Sequence, residues 1–335
     1  MSSDPLHLTD PVADSVADAV ARRRQGARGR GRASVLACGL LLAACTSVTA
    51  SSSSPPSESR TEPLVVASTT VLADLVALAL GDDGEVRSLV PAGGDPHGYE
   101  PTPGDVRLLG EADLVVMNGV GLEPWLDAII GSAGAVLRVG EVVADDVRLR
   151  QVDGAPDPHL WMVPTLAARY VEVIAQRLDE LGQDGLGQDG AVGASAQRAA
   201  TAAVMLAALE DELEATLAVI PTPQRVIVTT HDSQGYFAQR FGFRVATLVG
   251  VSTEEVPSAR RQREIVDDVR ATGVPTVFLE DHVAPALMRA IARDAGVQVG
   301  GVLHGDALAE PGEGPDSYVA MLRSNARVLV EGLGP

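Results

Sequence analysis

Six histidines occur in 335 residues, and three of them stand where an imidazole could be presented to a ligand. His97 lies in PAGGDPHGYEPTPGD, Pro91 to Asp105, where each proline fixes φ and removes a donor, so that no helix forms before Pro103. The segment is therefore a rigid loop, and it follows the strand-like run from Glu85 to Val90. His159 lies in a second Asp-Pro-His, PDPHLW, and His231 in VIVTTHDS, directly after the strand-like RVIVTT. Asp306 follows the strand-like VQVGGVL in VLHGDAL. Loops at strand ends are where α/β proteins display ligand-binding groups. Three imidazoles and one carboxylate make a metal site the leading expectation, and they satisfy four-coordinate Zn(II) without water. Manganese favours more oxygen donors, so His231 is the position that tilts the set toward zinc.

Three further residues belong beside this set. Glu280 and His282 follow the strand-like PTVFLE and could orient a ligand imidazole. His304 is two residues from Asp306 and competes with it as the donor of that segment. His7 precedes the basic N-terminal segment and plays no part. A catalytic zinc site, with three protein ligands and water, is the alternative chemistry and would make the chain a hydrolase. Against that, the chain has no H-E-x-x-H helix and no evident general base beside a ligand, and a fourth protein donor fills the open position. No catalytic residue is expected.

The elements that must position these residues alternate between strand and helix, the pattern of an α/β protein with parallel sheets. Leu64–Ala67, Glu85–Val90, Asp113–Met117 and Ala135–Val139 read as strands, with helices over 71–80, 103–111 and 123–130. Thr102 and Asp105 supply an N-cap and a first-turn acid for the second of these helices. An amphipathic helix follows over 165–181, and then the tandem LGQDGLGQDG of residues 181–190, read as a surface loop. Residues 195–219 are rich in Ala and Glu, without interior Gly or Pro, long enough to tie two domains together stiffly. Beyond Pro221 the alternation resumes, with strands over 225–230, 243–249, 275–280 and 297–303 and helices over 232–241, 258–272, 284–295 and 316–333. The expected architecture is two parallel-sheet α/β lobes, 63–192 and 221–335, joined by one long rigid helix, 193–220. A hydrophobic content of 46% is ample for two separate cores.

Composition narrows the partners. The 26 basic residues are all arginine, against 45 acidic ones, and the formal charge is −19. Such a balance argues against nucleic acid, whose phosphates need a basic face, and an aromatic content of 3% supplies few stacking platforms. At the N-terminus, six arginines between Arg22 and Arg32 precede an apolar run, Ala33 to Ala44, too short to span a bilayer. Residues 1–44 therefore read as a signal peptide. The end of that run, Leu42-Ala43-Ala44-Cys45, resembles the lipobox of bacterial lipoproteins, which implies lipidation of Cys45 and anchoring to the outer face of the cell membrane. Cys38 would leave with the signal, so neither a disulfide within the chain nor a thiolate metal site is expected. Residues 45–62, rich in Ser and Pro, would form a tether reaching roughly 20–25 Å.

The ligand-bearing segments resemble the solute-binding lipoproteins of zinc and manganese ABC importers. PAGGDPHGYEPTPGDVRLLGEADLVVMNG is similar to that family's first ligand segment, PDPHLW to its second and THDSQGYFAQRFGF to its third. GVSTEEVPSARRQREIVDDVRATGVPTVFLED resembles the region that follows. HGDALAEPGEGPDSYVAMLRSNARVLVEGL resembles the closing segment, with its acidic ligand and a helix bearing tyrosine, methionine and asparagine. The resemblance spans about residues 64–333. It implies a single zinc or manganese ion as cargo, held by His97, His159, His231 and Asp306 in the cleft between the lobes, with hinge motion limited by the linking helix. It also implies an ABC permease and its ATPase as partners and a monomeric chain. Manganese-specialised relatives often carry glutamate where His231 stands. Two departures are visible: no histidine-rich acidic loop follows the first segment, and Asp232, Ser233 and Gln234 replace the usual small and aromatic residues after the third ligand. Adhesion is a secondary role open to a surface lipoprotein, and no sequence feature beyond anchoring supports it.

Overall fold

The computed structural model describes residues 62–183 and 194–335. The signal peptide, Cys45, nearly all of the tether and most of the tandem loop lie outside the described residues. Among the described residues, no helix is long and apolar enough to cross a membrane.

The first half opens with β1 (Leu64–Ala67), α1 (Thr70–Leu80), β2 (Glu85–Ser88), α2 (Pro103–Glu111), β3 (Leu114–Met117) and β4 (Val136–Arg138). The four strands form one parallel sheet in the order β2-β1-β3-β4. Its central strands, LVVA and LVVM, are buried at every position, which is why they read as unbroken apolar runs. Thr102 and Asp105 form a reciprocal capping box at the start of α2. The helix expected over 123–130 is not one. Two short 3₁₀ turns, Leu126–Ala128 and Ile130–Ser132, stand there instead. Glu123 turns inward and its carboxylate accepts from Ser68 Oγ at 2.7 Å and from the amides of Asn118 and Gly119 at 2.6 and 3.1 Å. A side chain that satisfies the preceding loop in this way takes the place of a helical turn. Then come α3 (Val139–Ala144), the small antiparallel hairpin of β5 (Gln151–Val152) and β6 (Ala155–Pro156), and α4 (Pro164–Gln183).

The long helix α5 (Ala194–Leu217) leads from this half to the next. At 1.5 Å per residue it spans about 36 Å. Its buried face, Ala199, Ala202, Leu206, Leu209, Leu213 and Leu217, follows the helical period. That face packs on α1 and α4 of the first half, and on α9 (Tyr318–Leu333) of the second. The second half comprises β7 (Val226–Thr229), α6 (Gly235–Phe241), β8 (Arg244–Thr247), α7 (Ala259–Thr272), β9 (Thr276–Glu280), α8 (Ala286–Ala295) and β10 (Gln298–Leu303), ending in α9. β7 pairs with β8 and β9 with β10, both parallel, and β7 lies against β9. The register slips between Val299 and Val302. Glycine is needed there, because a Cβ on Gly300 would meet Thr276 Cγ2 at 2.6 Å and one on Gly301 would meet Val328 Cγ1 at 2.9 Å.

The largest apolar cluster differs from the expected pair of separate cores. It runs without a break from Val65 and Leu75 through Tyr170 and Leu206 to Phe237 and Leu329. The reason is that α5 and α9 bury their apolar faces against both halves, so the interlobe region is itself core. Smaller clusters complete each half, one around Val115 and Leu109 and one around Val277 and Ile265.

Candidate metal centre

His97, His159, His231 and Asp306 converge. One donor atom from each lies within 4.8 Å of all the others, and all four side chains are buried. His97 and His159 come from the first half, His231 and Asp306 from the second. His97 follows β2, His231 follows β7 and Asp306 follows β10, each at the carboxyl end of a parallel strand.

Each loop is held by identifiable contacts. Asp95 Oδ1 accepts the His97 amide at 2.9 Å, and Asp157 Oδ1 accepts the His159 amide at 3.0 Å. The two Asp-Pro-His motifs thus make the same local turn, with the aspartate bonding the backbone two residues on. Trp125 Nε1 donates to the Pro96 carbonyl at 2.7 Å, and Asn118 Nδ2 to that of Pro158 at 3.2 Å. Across the interlobe surface, Thr253 Oγ1 donates to Asp95 Oδ2 at 2.6 Å and Trp161 Nε1 to the Gly305 carbonyl at 2.8 Å. Arg150 pairs with both Asp157 and Asp232, reaching Asp232 Oδ2 at 2.6 Å. On α9, the Tyr318 hydroxyl donates to the Trp161 carbonyl at 2.6 Å, and Asn325 brackets the His304 backbone, accepting its amide at 2.9 Å and donating to its carbonyl at 2.6 Å.

The centre has the geometry a metal would require. Asp306 Oδ1 is 3.2 Å from His159 Nε2, and Oδ2 is 3.0 Å from His231 Nε2 and 3.6 Å from His97 Nε2. Metal–donor bonds of about 2.0–2.2 Å in a tetrahedron place neighbouring donors about 3.4 Å apart. The three spacings to Asp306 bracket that value, and the whole donor set lies within 4.8 Å. None of these approaches lines up as a hydrogen bond: all three Nε2 atoms and both Asp306 oxygens are buried without a partner. Buried polar atoms are seldom left so. A divalent cation at their centre would satisfy every one of them.

Carboxylates behind the imidazoles set their tautomers and charge. Asp157 Oδ1 lies 2.8 Å from His159 Nδ1, and Glu280 Oε1 lies 2.6 Å from His231 Nδ1. Glu280 stands close enough to bear on that imidazole, but neither His231 Nδ1 nor Glu280 Oε1 lines up as a hydrogen bond. Burial alone would depress both histidines, but the carboxylates override it. Asp306 and Asp157 push His159 up to about 9, and Glu280 and Asp306 push His231 up to about 10. His97 goes the other way, because burial outweighs its contact with Asp306. Asp306 itself is held well below the ordinary carboxylate range despite complete burial, chiefly by His159 and His231.

The remaining sequence candidates divide. His304 does not face the ligand set; its Nδ1 lies 2.7 Å from Asp281 Oδ2. His282 reaches the edge of the set, with Nε2 3.1 Å from Asp306 Oδ2. Sequence reasoning passed over Asp95, Asp157, Asp281 and Arg150. The repeated Asp-Pro-His was the signal for the first two. Nothing local marked Arg150, whose partners are 7 and 82 residues away.

Comparison with known proteins fits this geometry. Residues 65–332 match the family model described as zinc-uptake complex component A, periplasmic. This chain belongs to that family. It is 31% identical over 310 residues to the zinc-binding protein TroA of Treponema pallidum, covering 90% of this chain and 99% of that one. It is also 31% identical over 273 residues to the manganese-binding lipoprotein MntA of Halalkalibacterium halodurans, covering 80% and 88% respectively. The solved structure of the periplasmic zinc-binding TroA superposes with a TM-score of 0.75 at 30% identity, covering 82% of this chain and 100% of that one. Members of the family are substrate-binding proteins of metal ABC importers and not enzymes, so the hydrolase alternative falls away.

Proposed function

We propose that this protein is an extracytoplasmic lipoprotein that captures one zinc ion between two lobes and delivers it to an ABC permease driven by its ATPase. The observation that carries the reading is the set of four buried donors, His97, His159, His231 and Asp306, unpartnered and contributed by both halves. A site assembled from both halves would load and empty through a limited adjustment of the interlobe surface, since α5 and α9 tie the two cores together. Lobes of residues 63–192 and 221–335, with the helix of 193–220 between them, are the bodies that would move. Lipidation at Cys45 would hold a monomeric chain at the membrane, with the Ser/Pro-rich segment as tether.

Relatives of equal identity are named for zinc and for manganese, so the metal is argued from the donors. Three borderline nitrogens and one oxygen suit zinc, whereas manganese is better served by oxygen. The test is metal analysis of full-length protein purified without added metal, followed by calorimetry. One zinc per chain is expected, with affinity sharply reduced in His159→Ala. In cells, a deletion strain in chelated medium should be restored by zinc. Copurified manganese, with rescue by manganese and not by zinc, would overturn the metal assignment; binding indifferent to His159→Ala would overturn the site.

A further inference from the structure

His282 stands close after β9, and its imidazole shares several features of the other donors. Its side chain is 1% exposed. Its Nε2 is buried and lacks a hydrogen-bond partner, although Asp306 Oδ2 is only 3.1 Å away. His231 Nε2 has the same relation to the same oxygen at 3.0 Å. The two rings are 5.3 Å apart and nearly perpendicular, a spacing close to the 5.5–5.6 Å that separates the rings of His97, His159 and His231. Behind it, Asp281 Oδ1 lies 2.8 Å from Nδ1, as Asp157 does behind His159 and Glu280 behind His231. A carboxylate on Nδ1 takes the proton there and leaves the Nε2 lone pair directed at the metal side. Asp281 is itself fixed as an anion, its pKa lowered to about 2, with His282 and His304 both bonded to it.

We propose that His282 is a fifth donor to the bound metal, entering the coordination shell from the side of Asp306 Oδ2. The inference rests on the metal-binding reading above and extends it. His282 lies outside the group of four with mutually close donors, reaching it through Asp306, and a bound cation would draw it in. Zinc accepts a fifth ligand. A shell of four imidazoles and one carboxylate is richer still in nitrogen and moves the site further from manganese. It also gives the second half three donors, His231, His282 and Asp306, against two from the first.

The rival role is positioning: a hydrogen bond from Nε2–H to Asp306 that holds the carboxylate without touching metal. Either role lowers affinity on substitution, by about 10–100-fold for an orienting residue, so affinity alone does not separate them. X-ray absorption at the zinc edge does. Full-length protein in detergent micelles, loaded with one equivalent of zinc, should show four imidazoles in its shell, and His282→Gln should show three. The native spectrum is decisive even if the variant fails to fold: three imidazoles there would overturn the proposal and leave the four-residue site standing. A second readout uses His97→Ala combined with His159→Ala. That variant should keep weak zinc binding that His282→Gln then abolishes, and residual binding indifferent to His282→Gln counts against the proposal. Failure of the native protein to bind zinc at all would instead overturn the function on which the inference rests.

Discussion

Glu280→Gln tests the arrangement behind His231. Glu280 is buried, and it uses its two oxygens differently. Oε2 accepts the amides of Thr230 and His231 at 2.8 and 3.1 Å, and Oε1 faces His231 Nδ1 at 2.6 Å. A glutamine cannot do both. If its carbonyl takes the two amides, its NH2 donates to Nδ1 and drives the histidine proton onto Nε2, the nitrogen that faces Asp306. If it flips, its NH2 confronts two amide donors. The flipped form leaves buried donors unpaired, a loss of about 1–3 kcal/mol in folding stability, and the other form places a proton on the nitrogen that the metal would need. Zinc affinity should fall about 10–100-fold, which is about 1.4–2.7 kcal/mol. The same substitution removes a charge that helps raise His231 to about 10, so the metal-free variant should hold that proton less tightly and release fewer protons on binding zinc. Competition against a chromogenic chelator measures the first effect. Calorimetry in two buffers of different ionisation enthalpy measures the second. A folded variant with native affinity and native proton release would refute the reasoning, because Glu280 would then have no hold on His231.

Stability of the metal-free protein should depend on pH in a definite sense. Since His159 and His231 are raised to about 9 and about 10 in the fold, from an ordinary value of 6.5, the stability they confer is complete below 6.5 and is lost as pH climbs through those values. Asp306, Glu280 and Asp157 are lowered, and Asp281 is lowered to about 2, so their contribution is present above the ordinary carboxylate range and lost as pH falls toward 2. Thermal melting against pH should therefore show a maximum on the acid side of neutrality, and a maximum near pH 9 would contradict these charges. Arg150→Met leaves Asp157 and Asp232 buried without their cation; with the arginine side chain 25% exposed, the loss is put at about 2–3 kcal/mol, below that of a fully buried pair. That corresponds to a fall in Tm of roughly 3–6 °C, and an unchanged Tm would show that the interlobe pair carries no weight. Cys45→Ala should release soluble protein or leave an uncleaved precursor, since stable anchoring needs the acyl chains; processed protein still partitioning into detergent would count against lipidation.

Local rules were enough for much of this molecule. Period and punctuation placed most strands and helices within a few residues, because Gly81, Gly242, Gly273 and Gly296 each stop a helix by a conformation or a cap that depends on the residue itself. The four candidate ligands were legible for a related reason: proline-rich loops and strand ends declare themselves in sequence, and an imidazole in one has few structural reasons to be there. Where a side chain's partner lies far along the chain, the sequence is silent. The stretch from Glu123 carries helical spacing, yet Glu123 bonds the Ser68 hydroxyl 55 residues away and the helix does not form. Helix α5 reads as a connector, and only packing on α1, α4 and α9 reveals that its buried face fuses the two cores. His282 in LEDHVAP reads from sequence only as a residue beside the ligands, and its 3.1 Å approach to Asp306 follows because β9 and β10 run parallel and end at the same edge of the sheet. Donor type is a local property that residue chemistry determines, whereas the number of donors around one point is a distance between loops, and only the tertiary structure sets it.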